Sequence, residues 1–307
     1  MMKKVNTTRI CIACLMMSLL FYQAGYGQQP DPAVLKMMPE IPSSMTTPTE
    51  RAEYLVMHFW DKFDFKDTPS LMKNDLLERC FVDYLEVLSL VQGAVTEKSI
   101  QSLMKKAEVE KKNLLFVAEL GEKYLNASSS PMYDEEKFIP ILQCLLKTPV
   151  LNDVEKIRPQ FLLDAAMTNR VGQVANDLTY TLADGKTGTL HAITANYTLL
   201  YFNDPDCKNC QTLIKQLAAS PVITNLVRQQ TLKIITVYPE DDLEAWKKHA
   251  SEIPDTWIYS RDAEQKINME SLYRLNQFPT LYLLDKDKKV LLKDTTFEKL
   301  EDFFNHQ

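Results

Sequence analysis

Histidine is scarce in this chain, basic charge is not in excess, and no long apolar run lies beyond about residue 22. The four histidines, His58, His191, His249 and His306, are scattered with none at paired spacing. That argues against a zinc site, which draws on closely spaced His and Cys ligands. A formal net charge of −6 disfavours nucleic-acid partners, which call for a basic surface. Beyond about residue 22 no segment has the roughly 20 apolar residues that a spanning helix requires, so no stable membrane span is expected. There is no internal repeat. Ordinary apolar and charged fractions, 45% and 25%, exclude wholesale disorder.

What is present begins with an export pattern. Lys3, Lys4 and Arg9 precede an apolar run from Ile10 to about Tyr22, and the small residues Ala24, Gly25 and Gly27 follow. This reads as a secretory signal over residues 1–27, cleaved after Gly27, and predicts a periplasmic or cell-envelope location. Cys11 and Cys14 lie near the start of that run rather than closing it, so they are expected to leave with the signal and not to carry a lipid. Loss of three basic and no acidic residues takes the formal charge to near −9. Four cysteines then remain, Cys80, Cys144, Cys207 and Cys210, an even number that permits two disulfides in an oxidising compartment.

About 280 mature residues fit two domains. Residues 28–46, with Pro30, Pro32, Pro39 and Pro42 among polar residues, have the composition of a flexible leader. Thr47, Pro48 and Glu50 form a capping box, and Tyr54, Leu55, His58, Phe59 and Phe63 recur at helical spacing. A second stripe runs through Leu77, Cys80, Phe81, Tyr84, Leu85 and Leu88, and a longer third one from Ile100 to Leu115. After a break at Asn126 to Pro131, Phe138, Ile141, Leu142 and Leu145 continue the pattern, with a kink expected at Pro140. Residues 47–169 therefore read as an all-α domain of unknown function. Cys80 and Cys144 fall on separate predicted helices, where a structural disulfide and two buried thiols are both open.

Residues 170–307 read as mixed α/β. Leu178, Tyr180 and Leu182 alternate with polar residues before the turn Asp184-Gly185. Strands are expected at Leu199 to Phe202, Leu232 to Tyr238, Thr256 to Tyr259, Thr280 to Leu284 and Val290 to Lys293. Helices are expected after Cys210, broken at Ser220-Pro221, and at Asp242 to His249. A closing helix bears Leu300, Phe303 and Phe304 and takes its cap from Thr295 and Glu298.

Cys207-Lys208-Asn209-Cys210 falls where a strand ends and a helix begins. The unsatisfied N–H groups of a helix's first turn favour a thiolate on the first sulfur, and the two-residue spacing brings both sulfurs within bonding distance. The expected chemistry is exchange through a mixed disulfide: Cys207 attacks and Cys210 resolves. An inert disulfide and half of a zinc site are the alternatives. Trp60, Trp246 and Trp257 lie in periodic apolar surroundings that mark core packing.

Leu199-Leu200-Tyr201-Phe202 before the cysteine pair, with Phe278-Pro279-Thr280-Leu281-Tyr282-Leu283-Leu284-Asp285 downstream, resembles the thioredoxin superfamily. The gap of about 70 residues between these motifs is similar to that of the TlpA/ResA-like envelope branch, with its central insertion falling at about 229 to 265. Gly172-x-x-Ala175-x-Asp177-Leu178 resembles that branch's entry strand, so the likeness covers roughly 170–307. It implies a thioredoxin-like fold, no cofactor, Cys207 and Cys210 as catalytic residues, and a cis proline at Pro279 that faces them. It also implies that Phe278 and Pro279 bind an extended substrate segment, and that the partners are envelope protein thiols or disulfides and an unidentified redox partner. The upstream region resembles a helical domain of uncharacterised function found before such domains in secreted Gram-negative proteins.

Three positions depart from the family pattern. Asp206 replaces the usual tryptophan before the first cysteine, Tyr201 the buried acid six residues before it, and Leu213 a glutamate three residues after the second. No proton-handling group for Cys210 is thereby assigned, and Glu240, Asp241 and Asp242 read as a helix cap and solvated face. Asp204 and Asp206 set negative charge beside Cys207, which predicts a more stable disulfide and a potential nearer thioredoxin than DsbA. Asp204 also stands where a peroxidase would carry threonine or serine. The expected activity is thiol–disulfide exchange. The alternative is an envelope binding module on a thioredoxin-like scaffold with little turnover.

Overall fold

In a computed structural model the described residues are 36–72, 75–127, 129–275 and 277–306. The expected signal, with Cys11 and Cys14, lies outside them. The chain divides into two compact units, one ending at Leu163 and one beginning at Asp164. No described helix is long and apolar enough to cross a membrane.

The first unit is helical, as the apolar stripes require. The Thr47 hydroxyl accepts from the Glu50 N–H at 3.2 Å and the Glu50 carboxylate accepts from the Thr47 N–H at 3.1 Å, starting α1 (Pro48–His58). Then come α2 (Thr68–Met72) and α3 (Leu76–Leu88), which buries Leu77, Cys80, Phe81, Tyr84, Leu85 and Leu88. The third stripe, expected to be continuous, is two helices, α4 (Ala94–Ala107) and α5 (Lys111–Gly121). Glu110 is extended between them (φ −135°), and Val109 faces solvent. An unbroken helix would have carried Leu114 and Val117 roughly 20 Å along its axis from the core that Ile100 and Leu103 enter; the turn returns both stripes to that core.

A π-helical turn (Glu122–Asn126) precedes α6 (Glu135–Lys147), which Asp134 caps and which contains Pro140, and then α7 (Asp153–Met167). Gly121 allows a close crossing, because a Cβ there would lie 2.7 Å from Ile141 Cδ1. Phe59, Trp60, Phe63, Phe65 and Tyr84 form an aromatic cluster in this core. The Tyr84 hydroxyl and Ser99 Oγ lie 2.8 Å apart, and Ser99 donates to the Val56 carbonyl at 2.8 Å, so both buried hydroxyls are paired. Cys80 is buried and Cys144 half-buried, and they are not joined in a disulfide.

The second unit is a mixed sheet. Its strands are β1 (Thr179–Thr181), β2 (Thr187–Thr189), β3 (Tyr197–Phe202), β4 (Leu232–Tyr238), β5 (Ile258–Arg261), β6 (Thr280–Asp285) and β7 (Val290–Lys293), in the order β2-β1-β5-β4-β3-β6-β7. Strands β3, β4 and β5 are parallel, whereas β6 pairs antiparallel with β3 and β7 antiparallel with β6. The predicted hairpin joins β1 to β2, with Gly185 at φ 82°, a left-handed conformation that glycine adopts at little cost. Helices α8 (Lys208–Ala219) and α9 (Pro221–Arg228) meet at Ser220-Pro221 as expected, and α10 (Leu243–Lys248) and α11 (Lys266–Met269) follow. The closing helix α12 (Phe297–Asn305) is capped by Thr296, not Thr295: the Thr295 N–H is bonded to the Leu281 carbonyl at 3.2 Å, which moves the start one residue on.

Strand β3 is central and alternates between two cores. Leu199 and Tyr201 enter the one that contains Cys210, Leu213 and Leu217, while Leu200 and Phe202 enter the other. Trp246 and Trp257 are buried in this unit and Trp60 in the first, as their surroundings predicted.

One carboxylate in the helical unit leads to a stability test. Burial, with Glu86 adding to it and Arg79 opposing it, pushes the Asp83 carboxyl on α3 up to about 6. A carboxyl raised on folding contributes stability that is complete below its ordinary value and is lost as pH rises through about 6. Solvent screening of a partly exposed side chain holds the effect to about 1 kcal/mol. Asp83→Asn should therefore stabilise the protein against urea at pH 7.5 and leave it unchanged at pH 4; equal effects at both would refute this.

Candidate active site

The site is assembled at the C-terminal ends of the parallel strands. Strand β3 ends at Phe202, the loop Asn203 to Asp206 follows, and Cys207 is the N-cap of α8. Cys207 Sγ accepts from the Cys210 N–H at 3.4 Å, so the first sulfur occupies the capping position that an oxygen often fills. Helix N–H groups turned toward a sulfur favour its anionic form.

Asp204 folds the loop: its carboxylate accepts from the Asp206 N–H at 2.9 Å, and its carbonyl from the Cys207 N–H at 3.1 Å. Gln211 on α8 donates to the Pro205 carbonyl at 3.0 Å. These bonds fix the turn that presents Cys207 at the surface, half-buried, while Cys210 one turn along α8 is fully buried.

Antiparallel pairing brings the second motif to the same place. Phe202 stands opposite Thr280 across β3 and β6, so the residues before Thr280 lie beside those after Phe202. The Phe278–Pro279 peptide bond is cis, as the resemblance implied. The Phe278 carbonyl lies 3.7 Å from Cys207 Sγ. Cys207, Cys210, Phe278 and Pro279 are thus brought together although about 70 residues separate the two pairs in sequence.

Burial, the largest effect, pushes the Cys210 thiol up to about 12; contact with Cys207 adds to this, while the Asp204 backbone N–H and the Tyr201 hydroxyl oppose it. Tyr201 is fully buried on β3, and its hydroxyl donates to the Cys210 carbonyl at 2.9 Å. Asp242 caps α10, its carboxylate accepting from the Ala245 N–H at 2.9 Å, in keeping with the reading of that acidic run as a cap.

Sequence reasoning passed over His249. Its Nε2 lies 3.2 Å from Asp206 Oδ1 and its Nδ1 2.8 Å from Glu252 Oε1, which ties the residue before Cys207 to the segment after α10. Asp206 and His249 stand 43 positions apart, without periodic spacing, so the pattern of residues carried no signal for the pair. Tyr201 was visible as a departure from the family pattern, but where its hydroxyl pointed was not.

Comparisons with known proteins agree with this architecture. Residues 195–290 match the family model described as thioredoxin-like, and residues 23–169 match a domain of unknown function (DUF5106). A solved thioredoxin-like protein from Bacteroides caccae is 39% identical with a TM-score of 0.85, over 88% of this chain and 98% of that one. The C-terminal domain of an uncharacterised Bacteroides fragilis protein is 44% identical with a TM-score of 0.45, over 45% of this chain and 99% of that one. The thioredoxin domain of a thiol-disulfide oxidoreductase from Bacteroides vulgatus is 22% identical, TM-score 0.39, over 44% and 98% of the respective chains. No curated protein matches the chain. The chain belongs to the thioredoxin-like proteins: a helical N-terminal region followed by a thioredoxin-like α/β domain with a mixed sheet. The resemblance to the TlpA/ResA-like branch is consistent with that membership.

The unequal setting of the two sulfurs predicts unequal labelling. Brief treatment of the reduced protein with iodoacetamide at pH 8 should alkylate Cys207 and spare Cys210, as read by peptide mass spectrometry. Comparable labelling of both would contradict the burial and raised thiol of Cys210.

Proposed function

We propose that this protein is an exported thiol–disulfide oxidoreductase of the cell envelope that exchanges protein disulfides through Cys207 and Cys210. The observation that carries the reading is the pair's setting: an accessible sulfur at a helix N-cap, a buried one a turn later, and the Phe278 carbonyl against the first. An inert disulfide has no need of this asymmetry.

In the forward direction the Cys207 thiolate attacks a substrate disulfide, one substrate sulfur leaves, and a mixed disulfide forms. Cys210 then attacks Cys207 Sγ, releasing the second substrate sulfur and leaving the protein oxidised. An extended substrate segment lies along Phe278 and Pro279, where backbone next to the cysteine is available for pairing. A separate redox partner returns the pair to the dithiol. Export rests on Lys3, Lys4 and Arg9, the apolar run to Tyr22, and the small residues up to Gly27. Asp204 and Asp206 beside Cys207 favour the disulfide over the thiolate and so a reductant-leaning potential.

Two measurements test the reading. The reduced protein should catalyse dithiothreitol-dependent reduction of insulin, Cys207→Ser should abolish it, and Cys210→Ala should retain substrate proteins as mixed disulfides. Absence of both turnover and capture would favour the binding-module alternative. Equilibration against a glutathione series should give a potential nearer thioredoxin's, about −270 mV, than DsbA's, about −120 mV; a midpoint as oxidising as DsbA's would remove the reductant assignment.

A further inference from the structure

We infer that His249 is a positioning residue for the attacking sulfur: by holding the Asp206 carboxylate it keeps that charge from opposing the Cys207 thiolate. The inference rests on the reading of Cys207 as the nucleophile given above.

Asp206 immediately precedes Cys207, and its side chain is exposed. A carboxylate there works against an anionic sulfur in two ways. Its charge repels the thiolate, and when unheld it is free to turn to the N–H groups at the start of α8, for which oxygen is a stronger acceptor than sulfur. Cys207 Sγ accepts from one of these, the Cys210 N–H. Among the described residues the side chain that pairs with Asp206 Oδ1 is His249, whose Nε2 lies 3.2 Å away. The other acid of the loop, Asp204, has its carboxylate engaged by the Asp206 N–H.

The ring is held firmly. His249 is buried between α10 and a 3-10 turn (Ala250–Glu252), with its Nδ1 2.8 Å from Glu252 Oε1 and its carbonyl accepting from the Glu252 N–H at 3.0 Å. Helix α10 is fastened to β5 in turn. Trp246 stacks on Tyr259 with ring centroids 4.9 Å apart, its indole N–H donates to the Ser260 carbonyl at 3.2 Å, and the Tyr259 hydroxyl donates to the Trp246 carbonyl at 2.6 Å. Strand β5 pairs with β4 and β4 with β3, so the histidine and the cysteine loop are carried on one sheet.

Each ring nitrogen faces one carboxylate. Neutral imidazole has a single N–H and donates to one of them, whereas the imidazolium donates to both. The ring serves the two acids fully only as the cation, and a cation on Asp206 offsets the charge that would act on Cys207. The other ionisable groups at this end of the sheet do not duplicate that contact. Tyr238 ends β4 beside the loop, and burial, with Asp204, Asp242 and Glu240 adding to it, keeps its phenol protonated. Glu240 and Asp241 face solvent and Asp242 caps α10. Lys208 at the start of α8, and Lys247 and Lys248 on α10, are exposed, where water and salt screen them.

His249→Ala removes the ring. The full chain, reduced, is treated briefly with iodoacetamide at a series of pH values from about 5 to 10, and labelling of the Cys207 peptide is read by mass spectrometry. The midpoint of this profile should rise by roughly 0.2 to 0.7 of a pH unit, the span expected from an exposed ion pair. His249→Gln, which sets an uncharged amide N–H close to the place of Nε2, should move it part of the way. In Asp206→Asn, where no carboxylate needs holding, adding His249→Ala should leave the midpoint where Asp206→Asn alone puts it.

If His249 only braced the loop, its removal would act equally with and without the Asp206 charge; that result, or an unmoved or lowered midpoint in H249A, overturns the inference. Should H249A not fold, H249Q in the wild-type and D206N backgrounds carries the same comparison, and equal midpoint shifts in the two, or none, overturn it. Alkylation needs no disulfide substrate. Failure of the exchange reading is therefore seen separately, as absent insulin turnover in the wild type and absent capture by Cys210→Ala, whatever the midpoint does.

Discussion

Everything at the candidate site depends on where β3 sits, parallel to β4 on one side and antiparallel to β6 on the other. The pairing of Phe202 with Thr280 sets the end of one strand beside the start of another. Cys207 and the cis Phe278–Pro279 bond become neighbours only through that register. A slip of one residue would turn Tyr201 away from Cys210 and Phe202 into its place, because side chains alternate across a strand.

Polar contacts around the pair are arranged in tiers of burial. At the surface, Asp206 is tied through His249 to Glu252, so the residue preceding Cys207 is held by the segment between β4 and β5. Beneath it the Cys207 sulfur caps α8, and deeper still Tyr201 meets Cys210 in an apolar core. Burial raises the energetic weight of each polar contact, since the alternative partner is no longer water.

Much of the fold was legible because its determinants are local. Alternation at Leu178, Tyr180 and Leu182 marked the first hairpin and the Thr47–Glu50 box marked the start of α1, since side-chain direction and capping depend on residues a few positions apart. Errors arose where distant contacts decided. The stripe from Ile100 to Leu115 is consistent with one helix, but packing onto a single core broke it at Glu110. Thr295 and Thr296 are equivalent as caps until the bond to Leu281 removes one of them.

The sequence by itself determined that a closely spaced cysteine pair opens a helix, that a proline motif follows some 70 residues later, and that a helical region precedes both. These are properties of order and spacing along the chain. Only the tertiary structure decided that Cys207 faces the Phe278 carbonyl, that Cys210 is the buried thiol, that His249 holds Asp206, and that the tyrosine in the place of an acid points its hydroxyl at Cys210. The physical reason is that burial, hydrogen bonding and charge proximity depend on distance through space, and sheet register, not sequence separation, sets those distances.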